Sequence, residues 1–156
     1  MATEIERKFL VLNDHWRRDV STETRYRQGY LSIKETASVR VRTGGGRAFL
    51  NIKSGKSALR RLEFEYEIPM QDAEQILDDV IDLPVIDKTR YLVPHGGHVW
   101  EVDVFAGANE GLVVAEVELG SEEEAFERPD WLGEEVSEEP RYLNVNLVRH
   151  PYRDWS

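Results

Sequence analysis

The sequence predicts a single α+β domain built on an antiparallel sheet, and three observations carry that expectation. Apolar and charged residues alternate with a period of two through several short stretches. Glycine- and proline-containing turns separate those stretches at short intervals. One segment, Asp72 to Pro84, changes to a helical period, with Ala73, Ile76, Leu77, Val80 and Ile81 on one stripe. At 156 residues the chain suits one domain spanning 1–156, long enough to bury about two-thirds of its unfolded surface.

The first strand is centred on Glu4-Ile5-Glu6-Arg7-Lys8, with Glu4, Glu6 and Lys8 on one face and Ile5, Arg7 and Phe9 on the other. Carboxylates two residues apart on a strand face lie about 6.5 to 7 Å from each other and repel by roughly 2 kcal/mol at an effective dielectric near 20. A cation or water must therefore sit beside them. Asn13 to Thr24 is aperiodic and reads as a connector, with Asn13 or Asp14 capping a short turn through Trp16. Gln28 to Ile33 alternates again. Val39 to Arg42 and Ala48 to Lys53 read as a hairpin closed by Gly44-Gly45-Gly46. Leu62 to Ile68 reads as a half-buried strand, with Leu62, Phe64, Tyr66 and Ile68 opposite Glu63, Glu65 and Glu67.

Asp72 is the expected cap of the helix that Pro84 stops, and its stripe should pack on the outside of the sheet. Ile86 to Val93, Val99 to Phe105 and Leu112 to Leu119 are the next strands. Ser121 and Glu124 have capping-box spacing for a short helix, and a last helix is expected from Ser137 through Leu147.

The formal charge of −10 and a pI near 4.9 argue against a nucleic-acid surface. The chain has no cysteine, which excludes disulfides and thiolate chemistry and fits a reducing compartment. No apolar leader or membrane-length apolar run is present, so the expected location is cytoplasmic, with no membrane partner.

The charged faces carry the functional signal. Solvated sheet faces mix charges with Ser and Thr, because unlike charges across strands help and like charges hurt. Here each face keeps largely one sign. Lys8, Arg40, Arg42, Lys53, Lys88 and Arg90 are basic; Glu4, Glu6, Glu63, Glu65, Glu67, Glu101, Asp103, Glu116 and Glu118 are acidic. If the sheet closes with these faces inward, the lumen holds water, cations or a charged ligand, since unpaired buried charge costs several kcal/mol per ion. Guanidinium and ammonium groups suit a phosphate chain, and carboxylate clusters suit Mg²⁺ or Mn²⁺. A metal-complexed polyphosphate satisfies both walls. His95 and His98 flank a Gly-Gly turn and read as solvated.

Glu4-x-Glu6-x-Lys8, followed in order by Arg40-x-Arg42, Lys53, Glu63-x-Glu65, Lys88-Thr89-Arg90, Glu101-x-Asp103 and Glu116-x-Glu118, resembles the CYTH superfamily, the triphosphate tunnel metalloenzymes. The likeness covers nearly the whole chain and is strongest to the short bacterial inorganic triphosphatases. It implies an eight-stranded antiparallel β-barrel tunnel with flanking helices. Lys8, Arg40, Arg42, Lys53, Lys88 and Arg90 would hold phosphates; Glu4, Glu6, Glu116 and Glu118 would hold Mg²⁺ or Mn²⁺; Glu63, Glu65 and Asp103 would complete the acidic wall. Lys8 and Tyr30 are the implied catalytic pair. The implied reaction is hydrolysis of inorganic triphosphate by a monomer or homodimer acting on a triphosphate-containing small molecule. An adenylate cyclase or a nucleoside or thiamine triphosphatase of the same superfamily, and a non-catalytic polyphosphate-binding module, are the alternatives.

Overall fold

A computed structural model describes residues 3–54 and 60–155. Among the described residues the eight period-two stretches become strands β1 (Thr3–Val11), β2 (Thr22–Ile33), β3 (Ala37–Gly44), β4 (Arg47–Ser54), β5 (Arg60–Ile68), β6 (Ile86–His95), β7 (His98–Phe105) and β8 (Val113–Glu118), and a ninth that the alternation does not predict, β9 (Leu132–Glu135), follows. The helices are α1 (Met70–Asp79), between β5 and β6, and the short α2 (Asn144–Leu147) near the C-terminus. Strand order is β5-β4-β3-β2-β6-β7-β8-β1-β9, and β1 also pairs with β5. Eight antiparallel strands thus close into a barrel.

The first strand performs the closure. One edge of β1 pairs with β8, Lys8 opposite Glu116 and Glu6 opposite Glu118. Its other edge is shared: Thr3, Glu4 and Ile5 face Leu62, Arg61 and Arg60 of β5, while Phe9 and Val11 pair with Glu135 and Leu132 of β9. The ninth strand covers the length of β1 that β5 leaves bare.

The apolar core lies on both sides of the sheet: one cluster covers the outside of the barrel, and another, with Ile86, Phe105 and Val114 at the parity of Lys88, Asp103 and Glu116, faces its interior. Ile5, Phe9, Val93, Trp100, Val102, Ala115 and Val117 point outward from their strands and are covered by Trp16, Leu119, Trp131 and Leu132. A second cluster gathers Ile86, Phe105, Val114, Val136, Tyr142 and Leu147. Ala73 and Leu77 of α1 pack over Val41 and Ala48, as its periodicity predicts. Each fully buried aliphatic side chain contributes roughly 1.5–3 kcal/mol. Gly29 lets the helix segment approach: a Cβ there would lie 3.0 Å from Ile81 and 3.1 Å from Leu77.

Several elements differ from the sequence expectation. The Asn13 side chain accepts from the His15 amide, but Thr22 to Thr24 belongs to β2, because Leu92, Tyr91 and Arg90 offer it a pairing edge. The α1 cap position is Pro69, not Asp72, which sits in the first turn, and Val80 and Ile81 lie beyond the helix. Ser121 and Glu124 form no helix. The Glu124 carboxylate instead accepts from the Gly120 amide at 2.7 Å and lies 2.6 Å from His98 Nε2. That contact also withdraws His98 from solvent, to 17% side-chain exposure. The expected last helix is replaced by a 3₁₀ turn at Pro140–Tyr142 and the four-residue α2. Ser137 is held elsewhere: its hydroxyl accepts from the Lys8 amide and donates to Glu135. The apolar face of β5 is not half-buried; Leu62, Phe64 and Tyr66 are 47%, 43% and 56% exposed, because the acidic face takes the interior.

Candidate active site

Parity along the strands builds the tunnel. Because alternate side chains point to opposite faces, the outward apolar set forces the complementary set inward. Among the described residues, six cations and seven carboxylates line one cavity of about 170 Å³. The cations are Lys8, Arg40, Arg42, Lys53, Arg61 and Arg90; the carboxylates are Glu4, Glu6, Glu63, Glu65, Glu101, Glu116 and Glu118. Tyr30, Ser38 and Asn51 complete the wall, and Leu143, Asn144 and Val145 reach it from the C-terminal segment. That segment is tied to the tunnel by Lys8, whose Nζ donates to the Tyr142 carbonyl at 3.1 Å.

The two signs meet in lateral rows. Tyr30, Arg40, Asn51 and Glu65 are successive cross-strand partners, as are Ser38, Lys53 and Glu63. Lys53 Nζ lies 3.2 Å from Glu4 and 3.5 Å from Glu63, while Arg40 stands 4.0 Å from Glu63. Asn51 donates to Glu65 at 2.7 Å. Arg42 is oriented by a buried Gln28, which accepts from its Nε at 2.9 Å. Burial, then the neighbouring Arg40 and Arg90, disfavour the Arg42 charge. An anion placed among these guanidinium groups relieves that repulsion.

Lys88 and Asp103 sit behind the wall rather than on the cavity. Their side chains are 0% and 1% exposed, and Lys88 Nζ donates to Asp103 at 2.7 Å. Arg90 grips the same carboxylate with both Nε (2.8 Å) and Nη2 (3.0 Å), and its Nη1 reaches Glu101 at 3.2 Å. Burial pushes Lys88 down to about 7 against the pull of Asp103. Burial alone would raise Asp103, but Arg90 and Lys88 hold it at about 2. Asp103 is therefore a fixed anion that aims Arg90 into the tunnel.

The opposite wall is electrostatically loaded. Glu6, Glu101 and Glu116 bring one carboxylate oxygen each within 4.8 Å of the others. Burial pushes Glu6 up to about 8, with repulsion from Glu116 and Glu4 adding to it and Lys53 opposing. Glu101 is raised by burial, which outweighs Arg90. Glu116 is the exception: burial is overcome by Lys8, 3.8 Å away, and by Arg90, so it stays ionised.

The expected charged residues thus face one tunnel, save Lys88 and Asp103, which are buried beneath its lining, and Glu67, which is exposed in an ion pair with Arg47. Of the carboxylates implied to hold metal, Glu6 and Glu116 meet in the cluster, with Glu101 as the third member. Glu4 is engaged by Lys53 and Arg61, and Glu118 lines the cavity while remaining exposed. Sequence reasoning places Glu101 on an acidic face without a metal role; only its register against Glu116 joins it to Glu6. It misses Arg61 altogether, although Arg61 has the parity of Glu63, Glu65 and Glu67.

A carboxylate cluster of hard oxygen donors fits Mg²⁺ or Mn²⁺ and offers no soft ligand for zinc. Residues 2–152 match the CYTH domain family. The chain is 46% identical over 155 residues to a curated inorganic triphosphatase of Acetivibrio thermocellus, covering 99% of both proteins. It is 39% identical over 151 residues to one from Nitrosomonas europaea, covering 94% of this chain and 97% of that protein. A crystal structure of an inorganic triphosphatase superposes with a TM-score of 0.70 at 37% identity, covering 95% of each chain. A Pyrococcus horikoshii structure at 18% identity, with a TM-score of 0.60 over 76% of this chain and 79% of that one, shares the fold. Among the described residues, no helix is long and apolar enough to cross a membrane.

Proposed function

The chain belongs to the CYTH domain family, and from that membership we propose that it is an inorganic triphosphatase, cleaving tripolyphosphate into pyrophosphate and phosphate with a divalent cation. The observation that carries this reading is the pair of opposed walls in one cavity, cations for a phosphate chain beside carboxylates for a hard metal. Among the described residues the lining is almost wholly polar and charged, its apolar part confined to Leu143, Val145 and the Tyr30 ring. That favours tripolyphosphate over nucleoside or thiamine triphosphates.

In the reaction, a water oxygen bonds to a terminal phosphorus, the bridging P–O bond breaks with its electron pair going to pyrophosphate, and the water proton is released. Phosphoryl transfer asks a protein mainly for positioning and charge neutralisation. Arg40, Arg42, Lys53 and Arg90 would bind nonbridging oxygens and set the chain in line. Lys8 and Tyr30 would neutralise or protonate the leaving oxygen. Glu6, Glu101 and Glu116, with Glu4 and Glu118 beside them, would hold Mg²⁺ or Mn²⁺. When bound, the cation neutralises phosphate charge and lowers the pKa of water. The carboxylates also exclude the bare polyanion from their side of the tunnel, which fixes its direction.

Phosphate release measured across tripolyphosphate, pyrophosphate, ATP and thiamine triphosphate tests the proposal. Tripolyphosphate should turn over fastest with Mg²⁺ or Mn²⁺, and a chelator should abolish release. Comparable ATP turnover, or cyclic AMP formation, contradicts it. Binding is tested separately by calorimetry on Arg42→Ala. Loss of a charge-assisted contact of about 1.5–3 kcal/mol should weaken tripolyphosphate binding roughly ten- to a hundredfold. Unchanged affinity would place Arg42 outside the site.

A further inference from the structure

The lumen-facing residues of β5 are acidic except the first, Arg61. Its Nη2 lies 3.1 Å from Glu6 Oε1 and 3.4 Å from Glu4 Oε1, with 14% of the side chain exposed. The barrel closure puts it there: Arg61 is the direct cross-strand partner of Glu4.

Glu6 is pulled two ways. The carboxylate that receives Arg61 also belongs to the group in which Glu6, Glu101 and Glu116 oxygens lie within 4.8 Å. A divalent cation entering that group meets a fixed positive charge already bound to one of its ligands. The two compete for the same lone pairs and repel each other in a water-poor lumen, where charges interact more strongly than in bulk solvent. Lys53 adds to the pull on Glu4 but touches Glu63 as well, and it is not in contact with Glu6. Arg90 is also anchored by Asp103 and Lys8 by the Tyr142 carbonyl, so among the described residues Arg61 is the tunnel cation whose ion pairs and side-chain hydrogen bonds are all with the metal-binding carboxylates.

We propose that Arg61 is the resident counter-cation of the Glu4–Glu6 pair, displaced when a divalent cation loads. It is a positioning residue that keeps the two carboxylates together in the empty tunnel and lowers the affinity of the metal site. The inference rests on the metal-dependent reading above.

The experiment is a Mn²⁺ titration of the metal-free full chain, followed by electron paramagnetic resonance without any phosphate ligand. Wild type, Arg61→Gln, Arg61→Met, Arg61→Lys and Glu6→Gln are compared, with melting curves of each preparation. Arg61→Gln and Arg61→Met, which lose the competing charge, should bind Mn²⁺ about tenfold more tightly than wild type. Arg61→Lys, which keeps it, should stay within about threefold of wild type. The two neutral variants should melt lower than wild type without metal and gain more from saturating Mn²⁺. Either neutral variant suffices if the other fails to fold. Equal or weaker Mn²⁺ binding in the neutral variants, with wild type binding Mn²⁺ and Glu6→Gln binding less, overturns the role of Arg61 and leaves the triphosphatase reading intact. Absence of Mn²⁺ binding by wild type, together with hydrolysis that survives chelation, overturns both.

Discussion

Glu116→Gln should lose phosphate release from tripolyphosphate by roughly a thousandfold, because a metal ligand contributes several kcal/mol of transition-state stabilisation and each 1.36 kcal/mol is tenfold in rate. Glu116 is the member of the acidic cluster that stays ionised, held there against burial by Lys8 and Arg90. Glutamine keeps its size and hydrogen bonding but withdraws the charge that a cation requires. Arg40, Arg42 and Lys53 are untouched, and Lys8 and Arg90 keep their charge, so calorimetric affinity for tripolyphosphate should stay within about threefold of wild type. Removing this carboxylate relieves repulsion on Glu6 and Glu101 but takes from Lys8 and Arg90 the charge they hold ionised, so the metal-free variant should melt lower than wild type while remaining folded. Glu118→Gln should cost less, since Glu118 is exposed and outside the three-carboxylate cluster. Near-normal turnover of Glu116→Gln in folded protein would sever the cluster from the chemistry.

Asp103→Asn should produce the largest stability loss of any single tunnel substitution. Asp103 is almost fully buried and is the shared counter-ion of Lys88 and Arg90. Removing one partner of a buried ion pair typically costs about 3–5 kcal/mol, because the remaining charges are left uncompensated. For a chain of this size that corresponds to a fall in melting temperature of roughly 10 °C or more. Lys88, already pushed down by burial to about 7, should lose its proton more readily still. Asp103 does not line the cavity, so the effect on turnover should come through Arg90, whose guanidinium loses its counter-charge and one of the two acceptors that aim it. Saturating tripolyphosphate should restore part of the melting temperature, the anion supplying Arg90 with a new partner. A melting temperature within about 2 °C of wild type would show that the triad is not the support described above.

The walls of the tunnel were legible in the sequence because strand parity needs no three-dimensional information. Once Ile5 and Phe9 are assigned to an apolar face, Glu4, Glu6 and Lys8 must share the other, and the same holds for Arg40 with Arg42 and Glu116 with Glu118. Closure was not legible from parity alone. It depends on β1 dividing one edge between β5 and β9, and β9 is four residues long with no alternation strong enough to announce it. Arg61 was hidden because the alternation of β5 looks acidic from Glu63 onward, and the strand start was read two residues late. The depth of Lys88 was equally hidden: Lys88 and Arg90 have the same parity, and only packing against Phe105 and Asp103 puts one behind the wall and the other on it. Ser121 and Glu124 misled because a capping box is a local signal. The Glu124 carboxylate finds a nonlocal partner in His98, which the sequence spacing does not reveal.

The central claim is that one tunnel holds both a phosphate chain and the metal that makes it reactive. Phosphorus NMR of tripolyphosphate, incubated with the metal-free full chain and then with Mg²⁺ added to the same tube, tests it directly. Before Mg²⁺ the tripolyphosphate resonances should broaden through binding but not decay. After Mg²⁺ they should be replaced by pyrophosphate and orthophosphate in equal amounts, and excess chelator should stop the conversion. Conversion before metal is added, or persistence of tripolyphosphate after it, would contradict the account.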